Sequence, residues 1–397
     1  MHRKDVIPHI HFTRKEFARR KAAALAAMAH AGLDGMLIFR QESMYWLTGY
    51  DTFGYVFFQC LFLSSDGDLK LLTRKPDLRQ AKFTSIISDI RIWKDSETAD
   101  PTEDLRSLLE ECGARNKRLG VEWQSYGLTA FNGRLLERTL SGFCELVDAS
   151  FLISLLRLVK SAEELVYVRR AGELADMGLD AVYRLAVPGA WEGDILAGLE
   201  GVMLANDGDP PANENIIGSG PGSFMGRPYS GRRHLDQEDD LIVEFAGVYR
   251  HYHAAIMRVM RVGKPVQKQL DLHKVGVEAL RNCQAACKIG NPLGDIYRAF
   301  DKTIEQSGYD FASGRDLALP FSIGYCLGAT FAPNWMDYPL LYGDNSILVA
   351  SGMVFFMHMT LRDDGRGFCA VPGETIIVTE AGPERVSRAS LDFRVNA

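Results

Sequence analysis

A short apolar stretch in the second half of the sequence carries four ionisable side chains: Glu244, His251, His253 and Arg258. The apolar runs on either side have the composition of strands, and Gly247 between them suits a turn. The stretch therefore predicts a β-hairpin or a pair of adjacent strands. Because buried polar groups need partners, four ionisable residues on two apolar strands indicate either a functional site or a salt-bridged core network.

These residue types fit acid–base chemistry. A histidine can take a proton from water at neutral pH, which makes His253 the first candidate for a general base. The structural alternative is a histidine that is hydrogen-bonded within the sheet. Strand alternation places His251 on the same face as His253, so both are expected in the pocket. Glu244 could orient a histidine, bind a cationic substrate group or pair with Arg258, and Arg258 is expected to hold Glu244 or a substrate carboxylate.

Further candidates lie on later strands. His358 ends an apolar run that begins at Gly352, and it is the second candidate for the base. Glu374 opens another apolar run and could act as an acid–base carboxylate or a substrate anchor. Tyr325 could donate to a developing oxyanion, with simple packing as the alternative. Trp335 closes an aromatic, glycine-punctuated segment and is a candidate for substrate binding.

The loop before the first strand of the hairpin is rich in cationic residues. Arg227 and His234 are both candidates for binding a substrate carboxylate, and an Arg232–Arg233 pair lies between them. A solvated surface run is the alternative. The glycine-rich residues 216–222 do not fit the GxxxxGK[ST] pattern, so a phosphate cradle is not expected.

The bulk composition is that of an ordinary globular protein. The chain has 397 residues, which favours two domains, with 47% hydrophobic and 24% charged residues. A formal net charge of -6 does not favour nucleic-acid binding. We expect no membrane span and no signal peptide, because no apolar run approaches roughly 18 residues and the N-terminus is polar. The seven scattered cysteines predict free thiols in a reducing cytoplasm.

The order of the elements predicts a two-domain architecture. Helix and strand patterns alternate through residues 1–155, beginning with a helix capped by Thr13, which predicts an α/β domain. Residues 156–397 begin with a helix whose N-cap is Ser161, with Glu164 completing a capping box. Their strands come late, which is typical of an α+β domain.

This order resembles the pita-bread fold of the M24 family, which includes methionine aminopeptidase, prolidase, aminopeptidase P and creatinase. The first half resembles the N-terminal domain of the creatinase and prolidase branch. The matching segments in the second half are residues 157–171, 240–258, 324–328, 352–356 and 374–382.

The M24 peptidases hold two metal ions with two Asp, one His and two Glu. By motif register, the corresponding positions of this chain are Glu244, Ala255, Tyr325, His358 and Gly373. Alanine and glycine supply no ligand, and a dinuclear site needs bridging carboxylates to neutralise two dications. The resemblance therefore implies a chain without the family's metal set, and we expect no metal and no other cofactor.

The branch of the family without the metal set includes creatinase and ectoine hydrolase, which hydrolyse C–N bonds of small polar or zwitterionic molecules. The hairpin resembles ectoine hydrolase more closely than creatinase. Creatinase-like enzymes use a histidine shortly before the central strand, where the register of this chain gives Arg227, with His234 nearer the strand. The resemblance implies a metal-independent hydrolase of a non-peptide C–N bond, acting on a small molecule in the cytoplasm.

In this branch, the N-terminal domain of a second subunit completes the active site. A homodimer is therefore expected, with Tyr45, Trp46, Tyr50 and Asp51 suited to that role and core packing as their alternative. Three other functions stay open: a metal-dependent Xaa-Pro dipeptidase or aminopeptidase, a lyase of a small zwitterion such as dimethylsulfoniopropionate, and a non-catalytic pita-bread binding module.

Overall fold

The computed structural model describes residues 7–228, 230–312 and 314–396. The chain divides into two compact units, the first ending at Arg157 and the second beginning at Leu158. The boundary drawn from the sequence, between residues 155 and 156, lies two residues earlier. Within the described residues, no helix combines the length and the apolar composition that crossing a lipid bilayer requires.

The first unit is an α/β domain built on a mixed sheet. Its described residues form helices α1 (Arg14–His30), α2 (Gln41–Thr48), α3 (Leu78–Thr84), α4 (Pro101–Glu111), α5 (Ala130–Leu140) and α6 (Leu152–Arg157). Its strands are β1 (Gly35–Ile38), β2 (Cys60–Ser64), β3 (Leu69–Arg74), β4 (Asp89–Trp93), β5 (Arg118–Val121) and β6 (Glu145–Asp148). The strand order is β4-β3-β2-β1-β5-β6, with β1, β5 and β6 parallel to one another.

Local capping and one buried carboxylate shape this unit. Oγ1 of Thr13 accepts a hydrogen bond from the backbone N–H of Glu16 at 3.1 Å, as the sequence predicts for the start of α1. Glu122 lies after β5 and accepts hydrogen bonds from the backbone of Phe39 and Arg40 and from the hydroxyl of Ser43. Burial raises the pKa of this carboxyl to about 7. Glu122 therefore joins β5 to the start of α2.

The second unit carries helices α7 (Ala162–Leu185), α8 (Glu192–Ala205), α9 (Gln267–Ala286), α10 (Gly294–Gln306) and the short α11 (Arg315–Ala318). Its described strands are β7 (Ile216–Ser219), β8 (Asp239–Tyr249), β9 (Tyr252–Val262), β10 (Gly324–Cys326), β11 (Asp337–Leu340), β12 (Val354–His358), β13 (Leu361–Asp363), β14 (Phe368–Ala370), β15 (Gly373–Thr379), β16 (Gly382–Arg385) and β17 (Arg394–Asn396). The main sheet has the order β11-β10-β12-β15-β9-β8-β7, β16 pairs with β15, β17 pairs with β9, and β13 and β14 form a separate hairpin.

Helix α7 opens this unit with the predicted capping box. The hydroxyl of Ser161 accepts from the backbone of Glu164, and the carboxylate of Glu164 accepts from the backbone N–H of Ser161 at 2.9 Å. The helix packs on the hairpin of β8 and β9, and the opposite carboxylate oxygen of Glu164 accepts from the hydroxyl of Tyr252 at 2.7 Å. A single residue thus caps the helix and ties it to the sheet.

The central hairpin is confirmed, but its predicted turn is wrong. β8 runs through Gly247 to Tyr249, and the two-residue turn is formed by Arg250 and His251, with φ of 50° and 66°. Two consecutive positive φ angles give a turn whose twist matches that of the flanking strands. Gly247 instead lies inside β8, where an added Cβ would come within 2.1 Å of the carbonyl oxygen of Ala171 on α7. Glycine is needed there for close helix–sheet packing.

Candidate active site

One face of the sheet in the second unit carries a small polar cavity of about 190 Å³. This inner cavity is lined by strand residues and by the loops that flank them: Asn213, Ile216, Gly226, Arg227, Glu244, Met257, Tyr325, Asn334, Trp335, Met336, His358, Thr360 and Arg362. Its volume is below the roughly 300–1,000 Å³ of drug-sized ligand sites, so it suits a small molecule or one end of a larger molecule.

Strand alternation and register place the polar side chains on this face. Glu244 of β8 lies opposite Met257 of β9, which in turn pairs with Gly373 of β15. Gly373 pairs with His358 of β12. Because residues directly opposite one another in a sheet share a face, Glu244 and His358 point to the same side from strands that are distant in the sequence. Met257 and Gly373 lie between them.

A hydrogen-bonded relay leads to Glu244. Nε1 of Trp335 donates to the hydroxyl of Tyr325 at 2.8 Å, and that hydroxyl donates to Oε1 of Glu244 at 3.3 Å. Burial, and then the nearby charge of Glu244, raise the pKa of Tyr325 well above its usual range. The hydroxyl therefore keeps its proton at neutral pH, and the indole N–H fixes its direction.

The carboxyl group of Glu244 titrates near neutrality. Burial raises its pKa to about 7, while the hydrogen bond from Tyr325 and the charge of Arg227 act in the opposite direction. A carboxyl with this pKa can both accept and return a proton at physiological pH. Glu244 is therefore the best-placed acid–base group of the inner cavity.

His358 lines the same cavity as a neutral imidazole. Burial lowers its pKa to about 4. Its Nδ1 lies 3.2 Å from the hydroxyl of Thr360, and its ring centroid lies 5.7 Å from that of Tyr325. The contact with Thr360 orients the ring, so the histidine can give or take one hydrogen bond at its other nitrogen.

Thr360 and Arg362 are site residues that the sequence reasoning missed. With His358 they form a series at every second position, and all three line the inner cavity. Alternation with a period of two is the strand signal, so the pattern His-x-Thr-x-Arg could have revealed them.

A second, wider cavity of about 680 Å³ adjoins the first and shares Asn213, Ile216 and Arg227 with it. Its other walls are largely apolar and rich in proline: Met203, Leu204, Pro210, Pro211, Pro228 and Pro333. Arg227 thus lies where the two cavities meet. This outer cavity has the size of an ordinary ligand site.

His253, the first candidate for the base, is buried in the sheet instead. Its Nε2 accepts a hydrogen bond from the backbone N–H of Ala212 at 3.0 Å, and its Nδ1 lies 2.8 Å from the carbonyl oxygen of His251. Burial lowers its pKa to about 3. Both ring nitrogens are engaged with the backbone, so His253 supports the chain around Ala212 and does not line the inner cavity.

Glu374 and Arg258 lie on the other face of the sheet. Nη2 of Arg258 donates to Oε1 of Glu374 at 2.7 Å, and Arg385 donates to both oxygens of the same carboxylate. Glu374 is 0% exposed, and the side chain of Arg258 is 2% exposed. Arg258 does not pair with Glu244, because Val243 is its partner across the hairpin and Glu244 faces the opposite way. The predicted catalytic or substrate-binding roles have no structural support for either residue.

The two remaining histidine candidates also lie outside the inner cavity. His251 belongs to the hairpin turn, so simple strand alternation does not apply to it, and its ring stacks on Phe331 at 4.1 Å between centroids. His234 is exposed, and its ring packs on Trp191 at 4.7 Å between centroids.

In the first unit, the aromatic candidates are core residues. Tyr45 and Tyr50 are 0% exposed and Trp46 is 2% exposed. The hydroxyl of Tyr50 donates to Oε1 of Gln59 at 3.2 Å, so its polar end is also satisfied within the unit. Core packing, the structural alternative, accounts for these aromatic residues within the unit. Asp51 is half-buried.

The residues of the inner cavity do not fit a dinuclear metal centre. Of the five positions that correspond to the family's ligands, Glu244, Tyr325 and His358 line the cavity, but Ala255 and Gly373 have no donor atom. A Cβ on Gly373 would already lie 2.8 Å from Cβ of Met257, so other side chains occupy that ligand's place. Among the residues that the structure describes, no group of three His, Cys, Asp or Glu side chains is arranged to hold a metal ion.

Comparison with known proteins assigns the fold family. The profile of the metallopeptidase family M24 matches residues 166–380, and that of the creatinase/prolidase N-terminal domain matches residues 20–159. The chain belongs to the M24 family. The predicted fold, a creatinase-type α/β domain followed by an α+β pita-bread domain, is confirmed.

Relatives within the M24 family carry different activities in their names. The chain is 25% identical to an ectoine hydrolase from Halomonas elongata, over 95% of this chain and 96% of that protein. It is 24% identical to a Xaa-Pro dipeptidase from Pyrococcus furiosus, over 60% of this chain and 65% of that protein. Among solved structures, a dipeptidase from Pyrococcus horikoshii superimposes with a TM-score of 0.82 at 20% identity, covering 95% of this chain and 100% of that one.

Proposed function

We propose that this M24 protein is a metal-independent hydrolase of a non-peptide C–N bond in a small polar compound, with Glu244 as the acid–base group. The observation that carries the proposal is the composition of the inner cavity: a carboxyl with a pKa of about 7 stands where the family binds metal, and Ala255 and Gly373 replace two ligands. The similarity to an ectoine hydrolase over nearly the whole chain supports the same reaction class.

The reaction needs a proton acceptor and a proton donor. In the proposed mechanism, the Glu244 carboxylate takes a proton from water as the water oxygen bonds to the electrophilic carbon. The C–N bond then breaks, and Glu244 returns the proton to the leaving nitrogen. No net proton is lost, so one carboxyl group serves both steps.

Neighbouring groups position and stabilise the reacting atoms. Tyr325 donates to Glu244, and Trp335 holds the Tyr325 hydroxyl in place. His358 is neutral at physiological pH because burial lowers its pKa to about 4, so its free nitrogen can donate to the oxyanion that develops at the attacked carbon. This assigns oxyanion stabilisation to the histidine and acid–base work to the glutamate.

The test is a substrate screen with a matched pair of variants. Cyclic amidines of the ectoine type, creatine-like amidines, cyclic amides and Xaa-Pro dipeptides are incubated with the wild-type protein, and E244Q is compared with E214Q on any compound that turns over. Glu214 is exposed and lines only the outer cavity. We expect E244Q to lose at least about a hundredfold in kcat/KM and E214Q to stay near wild type.

The same screen separates the alternatives. Cleavage of Xaa-Pro dipeptides that depends on added Mn²⁺ or Zn²⁺ would replace the proposal with a metallopeptidase. Products that lack an oxygen atom from isotopically labelled water would show elimination, as in a lyase. Saturable binding without turnover of any compound would indicate a binding module. Activity of E244Q equal to that of the wild type would also contradict the mechanism.

The proposal includes a small-molecule substrate, a homodimer and a reducing compartment. All seven cysteines are free thiols, which supports a reducing environment. For the homodimer, Asp51 remains the candidate from the first unit to contact the substrate of a second subunit, because Tyr50 is buried in its own core. Light scattering after size-exclusion chromatography measures the mass directly, and a monomer at working concentrations would contradict this part of the proposal.

A further inference from the structure

Two arginine side chains of the inner cavity have no hydrogen-bonded or ion-paired partner among the residues that the structure describes. Arg227 and Arg362 both line it, and neither side chain has a hydrogen bond or an ion pair within the described part of the chain. Several other arginines of the second unit are paired: Arg233 binds Asp239, and Arg366 binds Asp363. Unpaired guanidinium groups are unexceptional on an open surface, but Arg362 is half-buried, and both arginines line a cavity beside a candidate catalytic residue.

The β13–β14 hairpin directs Arg362 into this cavity. Its neighbours Leu361 and Asp363 are both 0% exposed. Asp363 accepts from the hydroxyl of Tyr309 at 2.9 Å and from Nη1 of Arg366 at 2.7 Å, which fixes the strand from its other side. Because side chains alternate along a strand, Arg362 must project away from these anchored residues. The fold of the hairpin therefore fixes the direction of the Arg362 side chain.

The charge balance of the inner cavity favours an anion. Among the described residues that line it, Glu244 is the one carboxyl group, and Arg227 and Arg362 supply two guanidinium groups. Even an ionised Glu244 would balance only one of the two guanidinium charges of Arg227 and Arg362. The cavity is thus net positive without a bound anion. A planar guanidinium fork matches the two oxygens of a carboxylate.

We propose that Arg362, together with Arg227, binds a carboxylate group of the substrate and thereby selects small C–N compounds that carry one. The inference rests on the proposed function because it concerns the same site, but it makes a claim about binding that does not require turnover. Arg227 is a carboxylate candidate from the sequence, and the structure adds Arg362 as its partner. Held at one end by this arginine pair, the substrate would present its C–N bond to Glu244.

The test compares acids with their neutral analogues. Acetate, N-acetylglycine and 4-acetamidobutyrate are each titrated against the corresponding primary amide by isothermal titration calorimetry. We expect at least one acid to bind at least tenfold more tightly than its amide, and R362Q to abolish that preference. R362K keeps the positive charge but loses the planar fork, so its affinity for the acids should lie between those of the wild type and R362Q. R184Q is the matched control, because Arg184 is an exposed arginine on α7 outside both cavities and should leave affinity unchanged.

Several results would overturn the inference. Equal affinity for every acid and its amide would do so, as would a preference that survives in both R227Q and R362Q. Tighter binding of inorganic phosphate than of any carboxylate would replace the carboxylate with a phosphate ligand. If a variant does not fold, as judged by circular dichroism, the comparison of wild-type acid and amide affinities still decides the matter.

The inference and the proposed function can fail separately. E244Q removes the acid–base group but keeps both arginines, so it should still bind the acids, and more tightly because one negative charge is gone. If E244Q loses hydrolysis but keeps the preference for carboxylates, the result supports both the proposed mechanism and the arginine pair. Retained hydrolysis in E244Q would remove the proposed mechanism alone, whereas absence of any carboxylate preference would remove the arginine pair alone.

Discussion

The hydroxyl of Tyr325 donates to Oε1 of Glu244 at 3.3 Å, although the two residues are 81 positions apart in the chain. The bond joins β10 to strand β8 of the central hairpin, and the indole N–H of Trp335 holds the hydroxyl in place. It makes the proton affinity of Glu244 depend on residues that can be changed without touching the carboxyl itself.

This dependence predicts a pH effect. Hydrolysis that uses the Glu244 carboxylate should rise with pH through about 7 and level off above it, because burial raises the pKa of this group from 4.5 to about 7. The hydrogen bond from Tyr325 stabilises the charged form, so Y325F should move the rising limb to higher pH. R227Q should move it the same way, because it removes a positive charge. The measurement is kcat/KM as a function of pH.

Tyr342 provides the control for this pH series. It is partly exposed in the second unit and lines neither cavity, so Y342F should keep the wild-type profile. If the rising limb of the kcat/KM profile stays at the same pH in both Y325F and R227Q, another group sets the pH dependence.

The second prediction is a low metal content of the purified protein. Because Ala255 and Gly373 supply no donors, the purified protein should carry well below one transition-metal ion per chain, and its activity should survive chelation. Inductively coupled plasma mass spectrometry before and after treatment with a chelator measures this, with a Xaa-Pro dipeptidase purified in parallel as the positive control. Close to two metal ions per chain would contradict the proposed mechanism and favour a peptidase.

The buried ion pair of Arg258 and Glu374 predicts a stability effect. E374A would leave Arg258 charged and buried without its carboxylate, which should lower the free energy of unfolding by about 3–5 kcal/mol. The control is E384A, because Glu384 forms a more exposed pair with Arg169, and its loss should lower that free energy by about 1 kcal/mol or less. Urea denaturation measures both. Equal effects would mean that the network around Glu374 contributes no more than a surface pair.

The close packing of α7 on Gly247 predicts that a single added methyl group destabilises the protein. G247A would bring Cβ to within 2.1 Å of the carbonyl oxygen of Ala171, so α7 must move away from β8. Thermal unfolding should show a large drop in Tm or failure to fold. G201A on α8 is the matched control, since nothing lies within 4 Å of its Cβ position, and alanine should stabilise that helix by up to about 1 kcal/mol. A wild-type Tm in G247A would mean that the helix–sheet contact is loose.

Several features of the fold could be predicted from sequence because their signals are local. The caps at Thr13 and Ser161 each depend on residues three positions apart, and both are found in the structure. The hairpin was predicted from its apolar runs. Its turn was misplaced because a glycine also serves close packing, and only the position of α7 shows that Gly247 has that role.

The available side chains can be read from the sequence: a glutamate, tyrosine and histidine at positions where the M24 family binds metal, and alanine and glycine where two ligands would stand. Which ionisable residues meet depends on the pairing of the strands. Strand pairing sends Glu244 and His358 to one face and Arg258 and Glu374 to the other, and the backbone of Ala212 engages His253. The physical reason is that side-chain alternation is local, whereas the register between strands and the partner of each buried polar group depend on residues far apart in the chain.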